Sequence, residues 1–183
     1  MAANISEVIG KIYQEKSFTR LKRVLRSFVV GATESYADLR LHQFVRCIEG
    51  FVLPDIGCTE RQIKSRTEVI IGPSFHDLIG RIYGVRSNVE HLHDPLGSVS
   101  GNSKRDRIVE LLRLSFTVEG IARYLILHHL KSPSLWAHFA DDVALLAFWN
   151  ADPKATWGEQ YDLAAHISEF SDMFIRDDID EDV

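Results

Sequence analysis

The stretch SYADLRLHQFVRCIEGFVLP, residues 35–54, decides the fold class. Leu41, Phe44, Val45, Ile48, Phe51 and Val52 recur at spacings of three and four. That spacing puts them on one face of a helix and is incompatible with the alternation of a half-buried strand. Ser35 stands where a helix cap belongs. Pro54 stops the helix, because it lacks an N–H and its ring clashes with the preceding turn. The same period extends outward in both directions. Upstream, Asn4 with Glu7 forms a capping pair for one helix that runs to about Gly31. Downstream, Thr59 opens a helix ending at Gly72-Pro73. Ser74 with Asp77 caps the next, through Ile79, Ile82, Tyr83 and Val85. The turn formers of DPLGSVSGNS, residues 94–103, divide the chain roughly in half, as a mobile loop or a weak boundary. Neither half reads as a complete domain. Ser103 with Asp106 then opens the longest helix, from Lys104 to about Leu130, ended by Lys131-Ser132-Pro133. Ser134 starts a helix through Trp136, Phe139, Val143, Leu146 and Trp149. Thr156 with Glu159 caps a last one through Tyr161, Leu163, Ile167 and Phe170. Val69-Ile70-Ile71 is the only β-branched run and is too short for a sheet. The expectation is an all-α bundle of six or seven helices, with one domain over 1–171 and an acidic tail over 172–183.

The composition fits a folded domain. The chain has 183 residues, 45% hydrophobic and 26% charged, close to the globular average. That length buries a core without disulfide or metal staples. A disordered chain, a collagen and a disulfide scaffold are excluded. No apolar run approaches the ~18 residues of a membrane span. MAANISEVIGKIYQEK has no basic start followed by an apolar block, so no secretory signal and no membrane partner are expected. Cys47 and Cys58 form no C-x-x-C pair. Cys47 belongs to the apolar stripe of its helix, and a reducing, cytoplasmic setting is expected.

The formal charge is −5, and residues 172–183 account for it with six acids and one base. The rest of the chain is neutral, yet Lys11 to Arg46 carries eight bases against three acids. A locally basic surface inside an acidic protein is the consequence.

Several chemistries lack their signatures. There is no P-loop, no G-x-G-x-x-G after a strand, no H-E-x-x-H and no G-x-S-x-G. What remains is Gly84-Val85-Arg86-Ser87-Asn88-Val89-Glu90-His91-Leu92-His93-Asp94, at the end of an amphipathic helix. Arg supplies a permanent cation suited to phosphate. His passes a proton near neutral pH. Together they suffice to cleave RNA without metal. A proton leaves the ribose 2′-OH, another reaches the leaving oxygen, and a cation steadies the charged phosphorus centre. Arg86 and His91 would lie about 140° apart on a continuing helix. One site therefore needs the helix to end there, or a second protomer to complete it.

These residues carry a resemblance to the HEPN superfamily, whose motif is Arg, four to six residues with a polar one first, then His. Arg86 to His91 fits the shortest spacing and Arg86 to His93 the longest. Leu41-His42-Gln43-Phe44-Val45-Arg46-Cys47-Ile48-Glu49-Gly50 resembles the Arg-x-x-Glu helix of the Apea-like HEPN group. Gln62-Ile63-Lys64-Ser65-Arg66 is similar to its next element, and Ile82-Tyr83-Gly84-Val85-Arg86 to its motif helix. The resemblance covers roughly residues 35 to 95. It implies a HEPN-like bundle paired into a homodimer with facing motif helices. For active members it implies a metal-independent endoribonuclease without cofactor, often in toxin–antitoxin or anti-phage defence systems. Arg86 and His91 would be its catalytic pair. Ser87, Asn88 and His93 would bind RNA or support them. An antitoxin or other defence protein would be a partner. Many relatives are inactive modules that bind RNA or a partner protein.

Bland roles compete at each position. For Arg86 the competing role is a surface cation paired with Glu90 one turn on. Arg46 and Glu49 form a structural ion pair that Arg66 joins. Glu90-His91-Leu92-His93-Asp94 has metal-binding character but no further ligand set, so no metal is expected. His128 and His129 are expected at a solvent edge. Trp136, Trp149 and Trp157 are expected in the core or a subunit contact. A helical interaction protein whose acidic tail docks a basic partner is a third class of function.

Overall fold

A computed structural model describes the backbone of residues 5–52 and 59–174, with the side chains of 5–52 and 60–170. It is all-α, with no strand among the described residues. Among the described residues ten α-helices follow in order: α1 Ile5–Gln14, α2 Thr19–Thr33, α3 Ala37–Val52, α4 Thr59–Ile71, α5 His76–Glu90, α6 Lys104–Lys131, α7 Pro133–Trp136, α8 Asp142–Asn150, α9 Pro153–Trp157 and α10 Leu163–Phe174. No described helix is long and apolar enough to cross a membrane.

The helix of residues 37–52 is the axis of the fold. Leu41, Phe44, Val45, Cys47, Ile48, Phe51 and Val52 are all buried. α3 packs against α2, α4, α5, α6 and α8. Burial also pushes the Cys47 thiol up, leaving it an inert apolar residue. α6 supplies the second long surface, through Leu111, Leu114, Val118, Ile121, Leu125 and Leu130. Its start is a complete capping box: Asp106 N–H donates to Ser103 Oγ, and Ser103 N–H to the Asp106 carboxylate.

α2 and α3 approach closely through two glycines. A Cβ on Gly31 would lie 3.0 Å from the Phe44 ring, and one on Gly50 only 2.2 Å from Val24 Cγ2. Val24 is buried and stiff at χ1, so it cannot swing aside.

The expected six or seven helices are exceeded because three of them are broken. The first breaks at Phe18, which takes a left-handed φ of 62°. Its N–H is satisfied by the Ala140 carbonyl at 3.1 Å, a tertiary bond that no local pattern announces. The Asn4 cap falls outside the described residues. The helix expected from Ser134 breaks into α7, a 3₁₀ turn at Ala137–Phe139 and α8. Asp141 starts α8 by accepting the Ala144 N–H. The last helix does not start at Thr156. Gly158 turns the chain at φ 87°, and Asp162 accepts the Ala165 N–H to begin α10. The intervening residues serve the end of α4. Tyr161 N–H bonds the Ile70 carbonyl at 2.8 Å, and the Gln160 amide bonds those of Glu68 and Val69. The Glu68 carbonyl also accepts the Gly72 N–H at 3.0 Å, while Val69, four residues before Pro73, has no N–H to accept there.

Two expected side-chain caps are not found among the described residues. Glu34, not Ser35, accepts the N–H groups of Ser35 and Tyr36. Ser74 caps nothing: a 3₁₀ turn at Pro73–Phe75 leads straight into α5. The 94–103 segment is a braced connection. It contains a 3₁₀ turn at Pro95–Ser98 and a buried Val99. The expected acidic segment begins inside the last turn of α10, and residues 175–183 lie outside the described residues, as do Pro54 and Cys58.

His129 is not at a solvent edge. It is 1% exposed, between the rings of Phe51 at 5.9 Å and Phe139 at 4.7 Å. Neither ring nitrogen has a hydrogen-bond partner. Burial, with a smaller push from His128, lowers its pKa to about 4. His128 instead bonds the Trp157 carbonyl. Trp149 and Trp157 are core residues, as expected, and half-buried Trp136 packs against the core.

Two outcomes follow. Gly50→Ala should destabilise the fold by about 1–3 kcal/mol through overpacking, read in urea unfolding. An unchanged midpoint would show that α2 and α3 separate freely. Between pH 6.5 and 4 the unfolded chain protonates His129 while the folded core refuses the proton. Stability should therefore fall with pH by up to about 3 kcal/mol. His129→Phe should remove that part of the slope. Parallel pH curves for the two proteins would contradict it.

Candidate functional site

The polar stripe of α3 and the last turns of α5 form the site. His42, Arg46 and Glu49 are spaced i, i+4 and i+7, so they share one side of α3. Opposite them lies Arg86 of α5, whose Nη2 is 3.1 Å from Glu49 Oε1 and 3.2 Å from Oε2. The two side chains are only 14% and 16% exposed. Arg86 Nη1 also pairs with Glu90, one turn on, and its Cζ lies 5.6 Å from the Tyr83 ring centroid. Both the expected Glu90 pair and a tertiary pair are therefore present.

Glu49 takes its ion pair from Arg86 rather than from Arg46, which is exposed. Arg66 does not join either; it is buried, donates to the Val52 carbonyl and lies 5.8 Å from the Trp149 ring centroid. Burial pushes the Glu49 carboxyl up. The charge and hydrogen bond of Arg86, then the charge of Arg46, pull it back without cancelling the burial. The pair thus fixes the position of Arg86 more than it stabilises the fold.

His42 was not singled out by the sequence. Burial, then the charges of Arg86 and Arg46, lower its pKa, so it is neutral at pH 7. A neutral imidazole beside a guanidinium is equipped to accept a proton. The available signal was its place one turn before Arg46 on the Arg-x-x-Glu helix.

α5 ends at Glu90, within the motif. His91 is its C-cap, with its N–H on the Ser87 carbonyl at 3.1 Å. Leu92 takes a left-handed φ of 58° and turns the chain out. His91 and His93 are exposed, with ring centroids 6.1 Å apart. No hydrogen bond, ion pair or ring contact joins either to Arg86 among the described residues. Asn88 braces the following turn, donating to Ser98 Oγ at 2.7 Å and to the Asp94 carbonyl at 3.2 Å. Ser87 is half-buried. No group of three or more His, Cys, Asp or Glu among the described residues could hold a metal.

No family model, no curated protein and no solved structure matches this chain.

The half-buried Glu49 pair should hold Arg86 more firmly than the rim pair with Glu90. Double-mutant cycles with Arg86→Gln should give a coupling of about 1–3 kcal/mol to Glu49→Gln. The coupling to Glu90→Gln should be about 0.5 kcal/mol. Equal couplings would contradict the tertiary anchor.

Proposed function

We propose that the chain is a metal-independent endoribonuclease of the HEPN type, acting as a homodimer. The observation that carries this reading is the end of α5. A positioned guanidinium, Arg86, is followed by two solvent-accessible imidazoles where the helix stops. Arg86 steadies the charged phosphorus centre, and His91 moves the proton, with His93 as the alternative motif histidine. Arg86 and His91 are not joined within one chain, so a second protomer completes the site. The neutral His42 beside Arg86 is a further candidate for taking the 2′-OH proton. Attack by that oxygen on phosphorus expels the 5′-oxygen and leaves a 2′,3′-cyclic phosphate. Such an activity suits a toxin or anti-phage effector held in check by a partner protein, and a cytoplasmic setting.

A specific observation favours a second reading. Both carboxylates on Arg86 compete with a phosphate for the same guanidinium. A module that binds RNA or a partner without cleaving it would tolerate that competition.

Purified protein incubated with mixed tRNA in EDTA should release cyclic-phosphate ends. Arg86→Ala and His91→Ala should each lose at least about 10²-fold in rate. Cleavage surviving both substitutions would overturn the assignment. RNA binding without cleavage would select the second reading.

A further inference from the structure

We propose that the cleft between α2, α3 and the start of α8 binds the sugar–phosphate backbone of single-stranded RNA and leads it to Arg86. This rests on the RNA reading above. The cleft has a volume of ≈ 990 Å³, at the upper end of small-molecule sites. Lys16, Arg20, Arg23 and Arg46 line it.

Its acids are already engaged. Asp142 pairs with Arg20 at 2.5 Å, Asp141 accepts the Ala144 N–H at 2.8 Å, and Glu49 holds Arg86. Lys16, Arg23 and Arg46, by contrast, have no carboxylate within ion-pair distance among the described residues. All three are exposed. Three cations from two helices and a connecting segment therefore face one cavity with their charge uncompensated at contact range. Such a concentration attracts a polyanion, and counter-ion release drives its binding.

The neutral part of the lining defines the chemistry further. Ser17, Thr19 and Ser27 supply hydroxyls, which bond phosphate and sugar oxygens. Among the described residues the lining has no aromatic ring, so it offers no platform for stacking a base. Recognition would read the backbone and tolerate any base. The cleft also joins the motif physically. Glu49 is at once part of its lining and the ion-pair partner of Arg86, and Arg46 stands one turn before it on α3. A strand lying in the cleft would thus pass the stripe that positions Arg86.

The test uses labelled 2′-O-methyl oligouridylate and oligoadenylate, which cannot undergo 2′-OH attack, in fluorescence anisotropy over a salt series with EDTA. Wild type should bind both alike. Arg23→Ala/Arg46→Ala should weaken both about tenfold or more. It should also lower the slope of log K against log salt by about 1.4, the loss of two phosphate contacts. Arg23→Lys/Arg46→Lys should keep most of the slope, which separates lost charge from lost fold. Lys154→Ala, on α9, serves as the control for charge removed elsewhere and should leave the slope nearly unchanged. Unchanged affinity in the double alanine variant, an equal effect of Lys154→Ala, or no binding by wild type would each overturn the cleft. Binding that depends on Arg23 and Arg46 in a protein that does not cleave would uphold the cleft and overturn the nuclease. Cleavage that both arginines leave unaffected would do the reverse.

Discussion

α3 is surrounded by five other helices, and that enclosure governs the rest of the molecule. A helix so enclosed keeps charge only where a side chain reaches water or finds a partner. One side carries His42, Arg46 and Glu49; Arg40, on another side, pairs with Glu119 of α6; the buried positions are Leu, Phe, Val, Ile and Cys. The glycines at 31 and 50 let α2 come close on one side. The polar groups of α3 that meet Arg86 lie where α2, α5 and α8 leave that side open.

Arg86 meets this strip from α5, and the energetics of the meeting are mixed. The Glu49 carboxylate is costly to bury, and even a guanidinium at 3.1 Å does not fully offset that cost. Such pairs add little to stability but hold their members in register, since either partner left alone would be an unpaired charge away from water. The two carboxylates on Arg86 are unequal. Glu90 is 44% exposed and Glu49 only 16%. An incoming phosphate would displace Glu90 more readily, while Glu49 would continue to orient the guanidinium. In the proposed function this makes Glu49 a positioning residue.

Elsewhere the core accommodates a polar ring by keeping it neutral. His129 sits in an aromatic cluster without hydrogen-bond partners, so protonation there would place an unsolvated charge among Phe rings. His42 is depressed by a different balance, in which neighbouring cations add to burial. Two histidines are thus neutral at pH 7, one enclosed and the other on the side of α3 that carries Arg46 and Glu49.

Local sequence determined the all-α class, the end of α4, the extent of α6 and the capping box at Ser103, because helix periodicity and end signals act over three or four residues. On a continuing helix Arg86 and His91 would not have shared a face; α5 instead ends at Glu90, and no hydrogen bond, ion pair or ring contact joins the two among the described residues. Tertiary structure decided what depends on distant partners. The break at Phe18 is fixed by the carbonyl of Ala140, and the turn before α10 by the end of α4. Glu49 was expected to pair with Arg46, three residues away, yet it pairs with Arg86 across two helices. His42 likewise gained its altered acidity from packing, through burial first and then through charges on two helices. A pattern along the chain fixes which face a residue occupies; only packing decides which face of another helix lies opposite.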